Sequence, residues 1–280
     1  MIPTRSTSGG LVWLCLAPLL YSALSVSAKL AGSHLSVWQI SVGRFGFGLL
    51  VVPVIVKVLG LSLWGRQRFL LTARGLCGAT AFPLSIAMVL FYLYPAITAI
   101  LSPWVTGEPT AKIAWPFIGS AFIGTSLVLW PFEASVAFNL GHLFAVCSSL
   151  LCALTLLLVR KLGRENNIYT LFFYLCLTGT LAGLGPLFMQ ELPILPASAT
   201  AWFGIAAVAV FSIGAQLSIN QALVRIPAAK VSVVMTVEVP LVACFGVLIL
   251  GEPLSWHFLA GTLLIFSSST ALNLMPTRSK

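Results

Sequence analysis

Residues 228–253 read AAKVSVVMTVEVPLVACFGVLILGEP, an apolar run long enough to cross a membrane as a helix. The run carries one acid, Glu238, two residues before a proline near its middle, Pro240, and it ends on Gly251-Glu252-Pro253. Proline and an ionisable side chain are both costly at the depth of the hydrocarbon unless they face protein or water. The run is therefore typical of a helix that borders a pathway through the membrane.

A second run of the same design stands in the first half of the chain, where residues 83–109 read PLSIAMVLFYLYPAITAILSPWVTGEP. Its proline, Pro95, occupies the place of the first run's proline, and Gly107-Glu108-Pro109 ends the run in the same way. A pathway helix found twice predicts a chain built as two copies with the pathway between them. We therefore assign residues 1–135 to a first repeat and residues 136–280 to a second.

The composition excludes a soluble domain. Of the 280 residues, 59% are hydrophobic and only 8% are charged, whereas soluble domains carry about 25% charged residues. Apolar runs of about the length that spans a bilayer fill the chain. They cover residues 11–28, 36–57, 69–82, 84–105, 113–130, 140–159, 167–189, 201–222, 230–250 and 255–274. The expected fold class is all-α, a polytopic membrane protein with about ten transmembrane helices arranged as two inverted five-helix repeats.

The third of these runs is short. Only fourteen residues separate Arg68 from Pro83, and Arg74 and two glycines interrupt them. At about 1.5 Å per residue they form roughly 20 Å of helix, less than the thickness of the hydrocarbon. The alternation of loop charge still favours a crossing here. We expect ten spans with a stunted, tilted or re-entrant third, and nine spans stay open as an alternative.

The net charge of +9 comes from short basic clusters between apolar runs. Such clusters are typical of cytoplasmic loops, so no nucleic-acid partner is expected. With the N-terminus placed in the cytoplasm, the inner loops receive nearly all the basic residues, Arg74 included, and the outer loops receive Lys29, Glu133, Glu191 and Glu252. Both termini are therefore predicted to be cytoplasmic. Equivalent loops of the two halves differ in charge character, as inverted copies require.

Two charged residues lie deep in the predicted spans. Arg44 is about eight residues from the outer end of the second span, and Glu238 is about eight from the inner end of the ninth. Intramembrane charges usually face a cavity or a partner. Two interpretations stay open. One is a buried Arg44–Glu238 pair that ties the repeats together, and the other is a cavity in which Arg44 holds a substrate carboxylate and Glu238 a proton or an amine.

The prolines and their neighbours extend this candidate site. Pro95 and Pro240 each free a backbone carbonyl and kink their helix; a static kink is one interpretation, and the matching positions favour a hinge for alternating access. Tyr92 and Tyr94 bring phenol groups to the depth that Glu238 has in the other copy.

Two amides, Gln216 and Asn220, stand one turn apart on one face of the eighth span. Amides in lipid bond neighbouring helices or line a pore, and helix-to-helix bonding is the simpler interpretation. We nevertheless include both among the candidate substrate-binding residues.

Nothing in the sequence predicts catalysis or metal binding. The six cysteines lie within apolar runs and form no CxxC pair, so they are interpreted as small hydrophobic residues. The chain contains no HExxH or GxSxG motif, and no histidine has a second ligand at metal spacing. We expect no catalytic residue, no metal and no cofactor.

The ordered duplication resembles the paired EamA domains of the drug/metabolite transporter superfamily. In each copy an apolar helix with a mid-helix proline ends on Gly-Glu-Pro and precedes a span led by tryptophan. The supporting stretches are Gly43-Arg44-Phe45, Val89–Pro95, Leu223–Ala229 and Gly246–Gly261. The resemblance covers essentially the whole chain.

The resemblance implies a secondary transporter that exports small metabolites, such as amino acids or drug-like compounds, across the bacterial inner (plasma) membrane without ATP. It implies a cavity between the repeats and the following candidate residues: Arg44, Tyr92, Tyr94, Pro95, Glu238 and Pro240. The implied partners are a small-molecule substrate and the lipid bilayer, and the chain is a monomer or a homodimer. The short third span departs from the family, so a non-transporting copy stays open as an alternative.

Overall fold

In a computed structural model, the structure describes residues 7–80, 88–129, 140–190, 193–196, 198–250 and 255–274. All regular elements in these ranges are helical. The α-helices are α1 (Thr7–Ala31), α2 (Val37–Val58), α3 (Arg68–Thr80), α4 (Met88–Phe91), α5 (Tyr94–Thr106), α6 (Trp115–Val128), α7 (Leu140–Leu162), α8 (Ile168–Met189), α9 (Ala199–Arg225), α10 (Ala228–Met235), α11 (Glu238–Leu250) and α12 (Trp256–Leu274).

Helix length and composition confirm a multi-pass membrane protein. Within the described ranges, seven helical segments are long and apolar enough to cross a bilayer. One of these is the segment Ala228–Phe245, which contains α10 and the first part of α11. A further apolar segment, Lys112–Val128, is shorter. The all-α class is thus confirmed, whereas the count of ten spans stays a prediction.

The helices pack as two units, each drawn from both halves of the chain. Unit one comprises residues 1–80 and 158–225, and unit two comprises residues 81–157 and 226–280. Unit one therefore holds α1, α2, α3, α8 and α9, and unit two holds α4 to α6, most of α7, and α10 to α12. The predicted repeats, 1–135 and 136–280, divide the sequence differently and stay a prediction.

In unit one, α2 and α8 cross closely where glycines face larger side chains. A Cβ added to Gly179 would lie 2.5 Å from the ring of Phe45, and one added to Gly183 would lie 2.8 Å from Val42. Gly48 meets Cys176 further along the same contact. Because residue numbers rise on α2 as they fall on α8, the two helices run antiparallel. The Gly179-x-x-x-Gly183 stripe is thus a packing face, as small-residue spacing indicates.

Hydrogen bonds join loops at each end of unit one. At one end, the Arg66 amide donates to Oδ1 of Asn166 at 2.6 Å and Nε2 of Gln67 donates to Oε2 of Glu165 at 2.9 Å. At the other end, Nε2 of Gln39 donates to the Pro193 carbonyl at 2.7 Å. The loops α2–α3 and α7–α8 therefore share a side, as the charge pattern predicts. The cytoplasmic location of that side stays a prediction.

In unit two, α6 and α12 approach at a pair of facing glycines. A Cβ added to Gly261 would lie 2.5 Å from the carbonyl oxygen of Gly124, and one added to Gly124 would lie 2.8 Å from that of Gly261. Gly261 also faces Val128, and Gly124 also faces Ile265, so these helices run antiparallel too. Backbone-to-backbone contact of this kind requires glycine on both sides.

Arg74 lies in the third helix and not in a loop, contrary to the prediction from loop charge. Helix α3 has 13 residues, Arg68–Thr80, and residues 81–87 lie outside the described ranges. Arg74 stands in the middle of α3 and is wholly buried, so it is not one of the basic residues of an inner loop. Arg74 was predicted to lie in an inner loop because an arginine in a weakly apolar stretch matches the charge pattern of a loop.

The two Gly-Glu-Pro tripeptides differ in what the structure describes. Gly107 follows α5 with φ of 73°, a left-handed conformation that favours glycine and ends a helix. The tripeptide Gly107-Glu108-Pro109 is therefore a helix stop. Its counterpart, Gly251-Glu252-Pro253, lies outside the described residues, as do the predicted outer-loop acids Glu133 and Glu191.

Candidate functional site

The two proline-containing helices of unit two are both interrupted. Between α4 and α5 the chain makes a two-residue turn at Tyr92 and Leu93, and between α10 and α11 it makes one at Thr236 and Val237. Pro95 is the second residue of α5 and Pro240 the third of α11. Proline has no N–H to donate to the carbonyl one turn earlier, so each break lies where that bond is missing. Each proline thus lies just after an interruption of its helix, and the choice between a static kink and a hinge stays a prediction.

The interrupted helices also contact each other. Helix α5 packs against α10, and the Tyr94 hydroxyl donates to the carbonyl of Ser232 at 3.2 Å. Tyr94 is buried at the first turn of α5, and Ser232 is buried one turn before the break in the other helix. The hydrogen bond therefore joins the two broken segments within unit two.

Glu238 lies near the other break. It is the first residue of α11 and is half-buried. Tyr92, in the turn of the first broken helix, lies within electrostatic range of Glu238 and of Cys152 on α7, and Cys152 is also within range of Glu238. The rings of Tyr92, Phe91 and Tyr94 pack against one another, with centroids 5.4–6.1 Å apart. The structure thus brings the predicted residues Tyr92, Tyr94 and Glu238 into one region.

The remaining predicted residues lie in unit one. Arg44, on α2, is half-buried, and its guanidinium carbon lies 4.8 Å from the centroid of the Phe45 ring. It is also within electrostatic range of Cys176, a buried residue of α8. Because Arg44 and Glu238 belong to different units, the pairing of these two residues stays a prediction.

Gln216 and Asn220 lie in a chain of hydrogen bonds across unit one. The Tyr21 hydroxyl on α1 donates to Oε1 of Gln216 at 2.8 Å, and Nε2 of Gln216 donates to Oδ1 of Asn220 at 3.3 Å. Nδ2 of Asn220 reaches the carbonyl of Ile168 on α8 at 3.4 Å. Both amides are buried. They bond to neighbouring helices, as intramembrane amides commonly do, and whether they also contact a substrate stays a prediction.

Arg74 completes this chain and is the residue that the sequence argument missed. Its Nη1 donates to the Leu171 carbonyl on α8 at 2.8 Å, and its Nη2 lies 3.4 Å from Oδ1 of Asn220 on α9. Both contacts are to neutral acceptors, and Nε has no hydrogen-bond acceptor among the described residues. We call Tyr21, Arg74, Gln216 and Asn220 the Arg74 cluster.

The charge of Arg74 makes the Arg74 cluster costly to bury. Arg74 is the largest wholly buried side chain in the described ranges, with 0% of its surface exposed. Taking a guanidinium out of water costs several kcal/mol, which a partner of opposite charge normally offsets. The signal in the sequence was an arginine flanked by Ala73, Gly75 and Leu76 with no second charge beside it. A basic cluster in a cytoplasmic loop normally carries several charged residues.

The amino-acid sequence and the fold are both similar to those of known proteins. Residues 139–274 match the EamA-like transporter family. The pseudopaline exporter CntI of Pseudomonas aeruginosa (strain UCBPP-PA14) is 23% identical over 274 residues, which cover 94% of this chain and 95% of that protein. The S-adenosylmethionine uptake transporter of Rickettsia prowazekii (strain Madrid E) is 24% identical over 192 residues, 65% of this chain and 64% of that protein.

Two further likenesses extend over most of the chain. The human protein named solute carrier family 35 member G1 is 25% identical over 285 residues, which cover 93% of this chain and 77% of that protein. A solved crystal structure of another protein matches with a TM-score of 0.83 and 18% identity, over 98% of this chain and 99% of that one. At that identity the likeness shows the fold alone.

Proposed function

We propose that the chain is a member of the EamA-like family of the drug/metabolite transporter superfamily and that it is a secondary transporter that exports small metabolites by alternating access. A transporter, and not an enzyme, is what the family and the named relatives indicate. The relatives differ in direction, since one is named an exporter and another an uptake transporter. We favour export because the exporter matches nearly the full length of both chains.

The observation that carries the proposal is the pair of interrupted helices in unit two. At the breaks the regular helical hydrogen bonds are replaced by shorter-range ones, such as Leu93 N–H to the Leu90 carbonyl at 3.2 Å, and the Ser232 carbonyl accepts from the Tyr94 hydroxyl instead. In a membrane such interruptions are tolerated where protein or a water-filled cavity satisfies the backbone groups. Transporters use such discontinuous helices at their binding sites and as moving parts. Pro95 and Pro240 are accordingly proposed as the hinges, with Tyr92, Tyr94 and Glu238 beside them as substrate-binding residues.

The packing within each unit supports ten spans in two inverted five-helix repeats. Such repeats pair α2 with α8, α4–α5 with α10–α11, and α6 with α12. In each case members of the pair contact each other within one unit. The pairs α2–α8 and α6–α12 run antiparallel, which copies of opposite orientation require. We extend the proposal to residues 1–135 and 136–280 as the two repeats.

Arg44, Gln216 and Asn220 are proposed as the contribution of unit one to substrate binding. Arg44 is proposed to bind a carboxylate of the substrate, since a guanidinium binds carboxylates through paired hydrogen bonds. Glu238, the one intramembrane acid of the predicted pathway, is proposed to take up a proton or an amine. We also propose that the protein lies in the bacterial inner membrane with both termini in the cytoplasm.

Export is testable in a bacterial host that lacks its own amino-acid exporters. Overproduction of the full chain is expected to raise resistance to toxic levels of at least one amino acid or drug-like compound and to increase its appearance in the medium. If no compound in a broad panel is exported while the protein is present in the membrane, the alternative of a non-transporting copy replaces this proposal. The short third run of the sequence, residues 69–82, is the feature that favours that alternative.

The hinge role has a matched control within one helix. Pro95→Ala restores a backbone donor at the break and is expected to slow export several-fold while leaving the amount of folded protein unchanged. Pro103, also in α5, is exposed, so Pro103→Ala should export like the parent protein. Equal export by both variants would assign Pro95 to a static kink.

Proton coupling through Glu238 is tested in vesicles. Glu238→Gln keeps the size of the side chain but cannot bind and release a proton, so uptake driven by a pH gradient should fall to the level seen without a gradient. Uptake in Glu238→Gln that still responds to the gradient would remove the coupling role.

The inverted arrangement is tested by labelling single cysteines in a variant without the six native ones. Cysteines placed at Glu108 and Glu252 are expected to react from opposite sides of the membrane. If both react from the same side, the inverted repeats and the cytoplasmic placement of both termini are wrong together.

A further inference from the structure

Among the residues of unit one that the structure describes, no acid lies beside the charge of Arg74. All six acids of the chain are glutamates, and the one acid that the structure describes in this unit is Glu165. Glu165 is exposed in the α7–α8 loop, where it accepts a hydrogen bond from Gln67. The electrostatic neighbours of Arg74 are Tyr21, Cys77 and Cys176, none of which carries a negative charge in its usual protonated form.

The hydrogen-bonding capacity of Arg74 is also only partly used. A guanidinium has five N–H donors, and Arg74 makes two hydrogen bonds, to Leu171 and to Asn220. The contact to Asn220 is long, at 3.4 Å, and the buried Nε has no acceptor among the described residues. A residue without this charge would serve packing equally well. The unused N–H donors of Arg74 therefore indicate an acceptor other than the residues that the structure describes.

A second cation approaches the same place. Arg44 and Arg74 reach from α2 and α3 to within electrostatic range of one buried side chain, that of Cys176 on α8. Arg44 and Arg74 are therefore the two cations that lie nearest this buried position between α2, α3 and α8 among those that act on Cys176.

We propose that Arg74 is a second substrate-binding arginine that holds the carboxylate of a transported metabolite together with Arg44, with Asn220 positioning its guanidinium and Gln216 and Tyr21 fixing Asn220. This inference rests on the proposed transport function and adds to its site a buried cation on which recognition of the carboxylate depends. Arg74 is shut off from solvent in the present conformation, so the carboxylate reaches it when α3 or α9 moves during alternating access.

Asn220→Asp separates this role from a purely structural one. The substitution keeps the size of the side chain and places a carboxylate of the protein next to the Arg74 guanidinium. If Arg74 serves only packing, the new ion pair leaves the preference for an amino acid over its carboxamide unchanged, whatever it does to overall affinity. If Arg74 binds the substrate carboxylate, the internal carboxylate competes with it and binding is lost while the protein stays folded.

Arg160 provides a matched control. Its Nη1 donates to a backbone carbonyl, that of Leu223, at the same 2.8 Å that Arg74 keeps from its own carbonyl partner. It is only half-buried, in the last turn of α7, where solvent reaches it. Arg160→Gln removes an arginine of the same bonding type from the same unit without touching the Arg74 cluster.

The experiment measures binding to the purified full-length chain in detergent from the ligand-dependent shift of its thermal unfolding midpoint. The probes are the standard L-amino acids, each compared with its carboxamide, together with sodium chloride and sodium phosphate alone. We expect at least one amino acid to bind about tenfold or more tightly than its carboxamide, since charge-assisted hydrogen bonds are about twice as strong as neutral ones. Arg74→Gln and Asn220→Asp should abolish that preference, Arg74→Lys should keep part of it, and Arg160→Gln should keep it all.

Three results would overturn the proposal: no amino acid binds, an amino acid and its carboxamide bind equally, or the preference survives in Asn220→Asp. Chloride or phosphate acting as well as the amino acid would identify an inorganic-anion site and overturn it too. Export of the same compounds from cells is measured in parallel. If the parent protein exports carboxamides as well as carboxylates, the transport function stands and the role of Arg74 is refuted. If binding depends on Arg74 but no compound is exported, the role of Arg74 stands and the transport function is refuted.

Discussion

The close approach of α6 and α12, which backbone atoms on both helices define, gives a sharp test of the packing. In Gly261→Ala the new Cβ would lie 2.5 Å from the carbonyl oxygen of Gly124 and 2.8 Å from the backbone nitrogen of Val128. Ordinary contact begins at 3.4 Å. Because the obstructing atoms are backbone, no side-chain rotation relieves the overlap, and the helices must separate by about 0.9 Å.

The cost follows from two opposing effects. Overpacking of this kind costs about 1–3 kcal/mol, and alanine in place of glycine returns up to about 1 kcal/mol through helix propensity. We expect Gly261→Ala to be destabilised by roughly 1–2 kcal/mol, which lowers the unfolding midpoint of a chain of this size by about 2–8 °C. The assay is thermal unfolding of the full chain in detergent, followed by the fluorescence of a thiol-reactive dye or by circular dichroism.

Gly119→Ala is the matched control, since Gly119 lies on α6 as well and nothing stands within 4 Å of its added Cβ. It should unfold at or slightly above the midpoint of the parent protein. Gly124→Ala combined with Gly261→Ala should cost less than the sum of the two, because one separation of the helices relieves both overlaps. A Gly261→Ala protein as stable as the control would refute the close approach of α6 and α12.

Three further substitutions test hydrogen bonds within the units. Asn166→Ala removes an acceptor for a loop amide at 2.6 Å and should cost about 1–2 kcal/mol in thermal unfolding, whereas Gln67→Ala, at an exposed bond of the same loop, should change stability by less than about 0.5 kcal/mol. Ser36→Ala removes the N-cap of α2, whose side chain accepts from the third helical amide at 3.1 Å, and should cost about 1 kcal/mol; Ser33→Ala, at an exposed turn, should not. Tyr94→Phe deletes the hydroxyl that donates to α10 at 3.2 Å, and it should lower stability by about 1 kcal/mol; an unchanged midpoint would contradict a bond between the two broken helices.

Much of the fold was predictable because its causes are local. The transfer free energy of about twenty residues decides whether a run enters the bilayer, so the described ends of most helices fall within a few residues of the predicted runs. The breaks before Pro95 and Pro240 follow from one missing N–H in each helix. From their matching positions in the two copies, Tyr92 and Glu238 were predicted only to share a depth in the membrane, and the structure adds their electrostatic contact.

The placement of Arg74 in a loop was wrong for an equally physical reason. A charge in a weakly apolar stretch favours a loop by local rules, and the short predicted run, residues 69–82, strengthens that interpretation. What buries Arg74 is the close approach of α3 to α8, where a Cβ on Gly75 would lie 2.5 Å from the Tyr174 carbonyl. No window of sequence contains both sides of that contact.

The amino-acid sequence by itself determined that the chain lies in a membrane, where its helices run and where prolines interrupt them, because each of these depends on the solvation and bonding of neighbouring residues. Only the tertiary structure decided which polar groups meet. Arg74 reaches acceptors 97 and 146 residues further along the chain, and those distances close only when α3, α8 and α9 pack together. A buried charge obtains its partners from helix packing, and helix packing depends on glycines and side-chain shapes that hydropathy does not record.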